Sequence, residues 1–306
     1  MMDSANRVSA RPQWLGVLAL LRPQQWVKNL FIFVPLFFDG RIAEVQSLAG
    51  AAVGFVAFCL AASAVYCLND VLDAEQDRAH PVKSARPIAS GLLSKRAGVA
   101  VSVLCFVSAF LLCLLLPAWP TVVRAWGVLL AYLAMNILYC FWLKHIAVVD
   151  VFLIATGFVL RIVLGGVAAS VSLTHWIVLM TFLLALFLAF AKRRDDVALY
   201  LQTGQAPRKN IVRYNLIFID QLLGIVASLT MMCYILYAVS PDVVERFGTP
   251  RLYLTSVFVL AAIIRYLQLA TVYQFSGSPT KVVLGDRVVQ ICILCWLLSF
   301  ILIIYI

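Results

Sequence analysis

The stretch Asn69-Asp70-Val71-Leu72-Asp73-Ala74-Glu75-Gln76-Asp77-Arg78 ends a long apolar run, and Ala79-His80-Pro81-Val82-Lys83-Ser84-Ala85-Arg86-Pro87 follows at once. In a chain of 306 residues that is 64% hydrophobic and only 12% charged, four carboxylates within eight residues need a cause. If the apolar run continues as a helix through the motif, the 3.6-residue period places Tyr66, Asn69, Asp70, Asp73 and Asp77 along one stripe and turns Glu75 away. Oxygen-only ligands suit a hard cation, and Mg²⁺ is usually held by a few carboxylates together with substrate phosphates. The stripe therefore predicts a Mg²⁺–diphosphate site. Lys83 and Arg86 follow closely enough to take the remaining phosphate charge, Lys as a point charge and Arg by bidentate hydrogen bonds. A solvated loop between two membrane helices is the plainer account of a charge run. The shared helical face, at a membrane boundary where charge is costly, favours the site.

Working outward, a mean hydropathy of +0.99 makes this an all-α polytopic membrane protein. Apolar runs long enough to cross a hydrocarbon core of roughly 30 Å occur at about 27–45, 47–69, 97–116, 121–142, 147–169, 173–191, 214–240, 252–274 and 286–306. Nine transmembrane helices are expected, the first interrupted by Pro35. The net charge of +10 does not point to nucleic acid, because the Lys and Arg lie between apolar segments, as topology signals or contacts for anionic ligands. With the N-terminus in the cytoplasm, only Arg41, Arg124, Arg246 and Arg251 fall on the far side, and Arg161 and Arg265 lie inside spans. Every charged loop is then cytoplasmic. Residues 1–21 read as a flexible cytoplasmic N-terminus without a removable signal peptide, and 1–306 as a single domain. The eight cysteines lie in apolar runs and read as small buried hydrophobes, Cys292-Ile293-Leu294-Cys295 included.

Other residues extend the site or explain themselves more simply. Lys28, beside the interfacial Trp26, is either a snorkelling cation or a phosphate contact. Arg161 stands about three turns into the fifth span, so it must face a partner: an anionic substrate, or an acid on a neighbouring helix. His145 reads as an interfacial hydrogen-bond donor. The sixth span ends in Lys192-Arg193-Arg194-Asp195-Asp196, where Lys192 and Arg194 are candidate phosphate contacts and Asp196 a candidate ligand for a second Mg²⁺. Plain positive-inside signalling with self-paired charges explains the same cluster. The turn Ser276-Gly277-Ser278-Pro279-Thr280-Lys281 precedes the last span and is a candidate rim of the site.

At Asn69 to Asp77 the chain resembles the UbiA superfamily of intramembrane prenyltransferases, whose first signature is N-D-x-x-D-x-x-x-D on a cytoplasmic helix end. Four segments, Arg22–Asn29, Asp77–Gly91, Asp150–Gly166 and Ser278–Lys281, are similar to the decaprenyl-phosphate phosphoribosyltransferase branch. The resemblance implies nine helices in a UbiA-like bundle, in the bacterial inner membrane, with the active site facing the cytoplasm. It implies Mg²⁺-dependent transfer of 5-phosphoribose from phosphoribosyl diphosphate (PRPP) to a polyprenyl phosphate, giving a cell-wall precursor. Self-association into a homo-oligomer is compatible with such a fold. Asn69 and Asp73 would hold Mg²⁺, Lys28, Tyr66, Lys83 and Arg86 would meet the PRPP phosphates, and Lys144 and Arg161 would lie near the donor or acceptor phosphate. One departure matters: aromatic prenyltransferases carry a second D-x-x-x-D signature after the sixth span, where this chain has Lys192-Arg193-Arg194-Asp195-Asp196. A cation-rich site suits two anionic substrates better than a neutral ring. Prenyl transfer to an aromatic acid or quinone precursor is the alternative enzyme. A transporter for an anionic metabolite is the alternative of another class, though repeat symmetry is not evident.

Overall fold

The computed structural model describes residues 13–79, 83–204, 208, 210–273 and 279–305, with backbone alone at 279–281 and 304–305. Arg7 and Arg11, His80-Pro81-Val82 of the motif, Pro207, Lys209, the Ser276-Gly277-Ser278 turn and the Lys281 side chain lie outside them. All regular structure among the described residues is helical: α1 (Gln13–Leu21), a 3₁₀ segment (Pro23–Phe33), α2 (Val34–Asp39), α3 (Val45–Leu72), α4 (Ala74–Arg78), α5 (Lys95–Cys113), α6 (Trp119–Phe141), α7 (Val149–Ala169), α8 (His175–Thr203), α9 (Leu216–Val239), α10 (Pro241–Phe247), α11 (Ser256–Thr271), α12 (Pro279–Gly285) and α13 (Arg287–Tyr305). Seven of these segments are long and apolar enough to cross a membrane: α3, α5, α6, α7, α8, α9 and Arg251–Thr271. The expected first span, 27–45, is not one α-helix. It is the 3₁₀ segment followed by six residues of α2, which stop at Gly40 with φ +77°.

By contact the chain divides into two compact units, one within Met1–Cys140 and Arg161–Ser172, the other Phe141–Leu160 and Leu173–Ile306. The first is organised around α3, whose inner positions are small: Gly50, Gly54, Ala57, Ala61 and Ala64 are buried. Lipid supplies no hydrophobic drive between helices, so close van der Waals packing over small residues has to hold them. A Cβ on Gly98 of α5 would fall 2.7 Å from the Val71 side chain, and Ser102 Oγ donates to the Ala64 carbonyl at 2.8 Å. The second half of α7 comes closer still, since a Cβ on Gly50 would lie 2.1 Å from the Ala168 carbonyl oxygen. At Gly165 a Cβ would be equally close, 2.1 Å, to the carbonyl oxygen of Ile32.

The flexible terminus expected over 1–21 is corrected at its end, because Gln13–Leu21 is helix α1. Its apolar run is too short to span a bilayer, so by itself it reads as a tail. Tertiary contacts decide otherwise: Gly16 packs against Leu92, and Leu20 is fully buried with Cys67, Ile88 and Leu93.

In the second unit α8 packs on α9, α9 on α11, and α11 on α13. Leu186, Phe187, Phe190, Ile219, Leu223 and Tyr266 belong to its core. Helix starts are fixed by side-chain caps: Thr174 accepts from Ile177 N at 3.4 Å, and Asn215 accepts from Phe218 N at 2.7 Å. Arg265, the second cation inside a span, reaches Asp286 at 2.7 Å, and Asp286 also accepts from Val289 N at the start of α13. All eight cysteines are free thiols and seven are buried, the packing role read from the sequence.

Candidate active site

The end of α3 sets the geometry of the acidic motif. Asp73 terminates the helix with φ −88° and ψ 2°, and α4 restarts immediately after it. The i→i+4 ladder nevertheless persists, from Asp73 N to Asn69 O and from Asp77 N to Asp73 O, each 2.9 Å. Asn69, Asp73 and Asp77 therefore stay one turn apart on one side of the chain. Glu75 points to solvent, where its bond to Lys95 at 2.9 Å holds its carboxyl below the usual carboxylate range.

Asp70 departs from the stripe. It is 2% exposed and accepts from Arg22 Nη2 at 2.5 Å and Arg86 Nη1 at 3.2 Å. The same Arg86 Nη1 donates to Asp77 Oδ2 at 2.6 Å, so one guanidinium bridges two acids of the motif. Arg86 is delivered by the 3₁₀ turn Lys83–Ala85, whose Lys83 carbonyl accepts from Arg86 N at 3.0 Å, and Arg78 Nε fastens the returning chain at the Ala89 carbonyl. Lys83 is half-buried and Lys28 exposed. Tyr66, one turn before Asp70, carries the Arg22 guanidinium over its ring at 5.1 Å.

Arg161 lies in the same unit. It is 6% exposed, donates from Nε to Asn29 Oδ1 at 2.8 Å, and stands over the rings of Phe58 and Tyr132 at 4.7 and 5.5 Å. Asn29 in turn donates to Cys59 Sγ at 3.1 Å. An amide and two aromatic faces thus cradle this cation.

The remaining candidates belong to the second unit. Lys144 is half-buried in the short 3₁₀ turn Leu143–His145, and His145 and Lys192 are exposed. Arg194 binds Asp220 through Nε at 2.6 Å and Nη2 at 3.3 Å, and donates from Nη1 to the Ala270 carbonyl at 2.7 Å. It ties α8 to α9 and α11, which is the self-paired alternative of the sequence reading. Asp196 Oδ2 accepts from Arg193 at 3.1 Å and pairs with Arg208 at 3.3 Å, and Asp195 is half-buried.

Among the described residues no three Asp, Glu, His or Cys side chains converge closely enough to hold a metal by themselves. The donor set at the end of α3 still fits Mg²⁺, because an amide and two carboxylates a turn apart leave the other positions to water and phosphate oxygens. Of these two carboxylates, Asp77 already draws positive charge, from Arg86.

Sequence reasoning missed Arg22 as the partner of Asp70, Asn29 as the partner of Arg161, and Asp220 as the partner of Arg194. Asp220 carried a readable signal, since an acid inside an apolar run needs a cation. Arg22 and Asn29 carried none, being separated from their partners by 48 and 132 residues.

Against these geometries stand the relatives. The UbiA prenyltransferase family pattern matches residues 40–276. A decaprenyl-phosphate phosphoribosyltransferase of Mycolicibacterium smegmatis is 33% identical over 309 residues, covering 97% of this chain and 95% of that protein. One from Mycobacterium tuberculosis is 34% identical over 286 residues, covering 92% of each chain. Among solved structures, a UbiA homolog from Archaeoglobus fulgidus bound to GPP and Mg²⁺ superposes with a TM-score of 0.67 at 16% identity, over 95% of this chain and all 100% of that one. The seven long apolar helices and these relatives make this an integral membrane protein, and the chain belongs to the UbiA prenyltransferase family.

Proposed function

We propose that this chain transfers 5-phosphoribose from PRPP to a polyprenyl phosphate of the decaprenyl type, releasing diphosphate. The observation that carries this reading is the 33–34% identity, over nearly the whole length, to proteins named decaprenyl-phosphate phosphoribosyltransferase. Asn69, Asp73 and Asp77 are the residues that would hold Mg²⁺, which when bound neutralises diphosphate charge. Lys83, Arg86 and Lys28 meet the donor phosphates, and Tyr66 borders them. These cations stabilise the diphosphate as the bond from C1 of ribose breaks and charge accumulates on the leaving oxygens. The lipid phosphate is already an anion, so its attack on C1 needs no general base. Arg161, in its cradle of Asn29, Phe58 and Tyr132, is assigned to phosphate recognition, as are Lys144 and Lys192 in the second unit. Asp196 is left as an ion-pair partner of Arg193 and Arg208.

The same reading takes residues 1–306 as one functional domain with nine membrane crossings, in a bacterial inner membrane, the N-terminus and site cytoplasmic. The two crossings beyond the seven long helices are 23–39 and α13. Eleven 3₁₀ residues and six α-helical ones, at rises of about 2.0 and 1.5 Å per residue, reach roughly 30 Å. The 19 residues of α13 reach about the same length, which is the thickness of a hydrocarbon core.

The test supplies purified protein with labelled PRPP and decaprenyl phosphate, with and without Mg²⁺, and in parallel a labelled prenyl diphosphate with an aromatic acid. Mg²⁺-dependent transfer of label from PRPP to lipid is the expected result. Prenylation of the aromatic acid with no consumption of PRPP would overturn the assignment.

A further inference from the structure

Asp70 meets cations that arrive from two separate stretches of the chain. Arg22 comes from the junction between α1 and the 3₁₀ segment, 48 residues away in sequence, and its Nη2 reaches Asp70 Oδ1 at 2.5 Å. Arg86 approaches the same oxygen at 3.2 Å and Asp77 Oδ2 at 2.6 Å. Arg22 is a non-glycine residue in the left-handed region, with φ 52° and ψ 59°. Pro23 disfavours the right-handed helical alternative at that position. Strain of this kind persists where surrounding structure imposes it and clusters at functional sites. Here the imposed backbone aims a mostly buried guanidinium at Asp70 and lays it over the Tyr66 ring at 5.1 Å.

We propose that Arg22 and Asp70 are a positioning pair: Asp70 serves as the anchor of Arg86 and not as a metal ligand, and Arg22 fixes Asp70 in that role. The name of the donor rests on the function proposed above, but the pair serves the diphosphate group itself. Two features separate Asp70 from the acids assigned to the metal. Its Oδ1 is shared by two guanidinium groups, and it lies off the ladder that keeps Asn69, Asp73 and Asp77 one turn apart. Arg86, held by Asp70 behind and Asp77 beside it, presents a fixed fork to an incoming phosphate, so less side-chain freedom is lost when phosphate binds. Arg22 acts only through this chain of contacts.

The experiment titrates detergent-purified full-length protein with Mn²⁺ alone, followed by electron paramagnetic resonance, and with magnesium diphosphate by calorimetry. Each variant is first checked for an unchanged melting temperature. Asp70→Asn and Arg22→Gln are expected to keep wild-type Mn²⁺ affinity, to lose about tenfold in diphosphate affinity, and to raise KM for the diphosphate donor more than they lower kcat. Arg22→Lys, which restores the charge, should recover most of the loss. On an Arg86→Gln background, Arg22→Gln should add nothing. Loss of Mn²⁺ affinity in Asp70→Asn comparable to that of Asp73→Asn would overturn the proposal by making Asp70 a ligand. So would unchanged diphosphate affinity in both variants, or additive losses for Arg22→Gln and Arg86→Gln. If Asp70→Asn does not fold, the Arg22 and Arg86 arms decide alone. Diphosphate binding is read without ribose transfer, so a failed PRPP assay would overturn the donor assignment and leave this test standing.

Discussion

Arg193 and Asp150 pair at 2.8 Å between Nη2 and Oδ2, with 1% and 0% of their side chains accessible. Around them runs a chain of polar contacts: Tyr214 Oη donates to Asp150 Oδ1 at 3.2 Å and accepts from Val148 N at 2.5 Å, while Arg193 Nη1 donates to Asp196 at 3.1 Å. Val148 sits at φ 70°, unfavourable for a β-branched residue, and the hydrogen bond to Tyr214 holds it there. Removing one partner of a fully buried pair leaves an uncompensated charge, at a cost of about 3–5 kcal/mol. Arg193→Met should therefore lower the melting temperature in detergent markedly. The double variant Arg193→Met with Asp150→Leu should recover most of that loss, because both charges leave together. A double variant no more stable than the single one would show that the pair is not the source.

Asp73 of the ladder should behave differently. Asp73 is half-buried at a helix end, so Asp73→Asn opens no cavity and should leave the folding stability within about 1 kcal/mol of wild type. Mg²⁺-dependent transfer should vanish, and Asn69→Ala should lose it too. Wild-type turnover by Asp73→Asn at saturating Mg²⁺ would remove Asp73 from the metal site.

Arg161→Leu should insert at least as well as wild type, since a cation inside a span costs roughly 2.5–3.5 kcal/mol on insertion scales. Expression should hold while affinity for a phosphate-bearing substrate falls. Asn29→Leu removes the amide that accepts from Arg161 Nε and should show the same loss in milder form. Unchanged KM for both substrates in Arg161→Leu would confine this residue to packing against Phe58 and Tyr132.

Sidedness is directly measurable. Lys95 at the start of α5 and Arg246 in α10 are both exposed, and the charge distribution assigns them to opposite faces. Lys95→Cys in sealed vesicles should react with an impermeant thiol reagent only from the cytoplasmic face, Arg246→Cys only from the other. Labelling of both from one face would break the nine-crossing topology.

Tyr214 gives a pH signature, because burial pushes its phenol from its ordinary value of 10.0 up to about 12. A raised folded value means that the neutral phenol's contribution is fully present below the unfolded value and is lost as pH rises through the folded one. The stability gap between wild type and Tyr214→Phe should be constant up to about pH 10 and shrink between about 10 and 12. Thermal melts of the two proteins across that range measure it. A gap that widens there would contradict a buried neutral phenol.

The sequence alone determined the membrane class, most of the long helices, the acidic motif and the family, because each depends on local quantities: apolar run length, helical period and residue spacing. Hydropathy placed α3, α5, α6, α7 and α9 within a few residues of where they fold, whereas α8 runs past the expected end at 191 to Thr203 through its charged segment, and the spacing Asn69, Asp73, Asp77 survived the break at Asp73, since the backbone ladder runs through it. Tertiary structure alone decided where charges end. Which cation faces Asp70 depends on the left-handed turn at Arg22, which cradle receives Arg161 depends on Asn29, 132 residues away, and which role Arg194 takes depends on Asp220. It also decided that Gln13–Leu21 is a docked helix, because the helix owes its place to Leu92 and Leu93 and not to its own length. Buried charges in a medium without water must find partners, and partners are set by three-dimensional proximity, which a one-dimensional pattern does not encode.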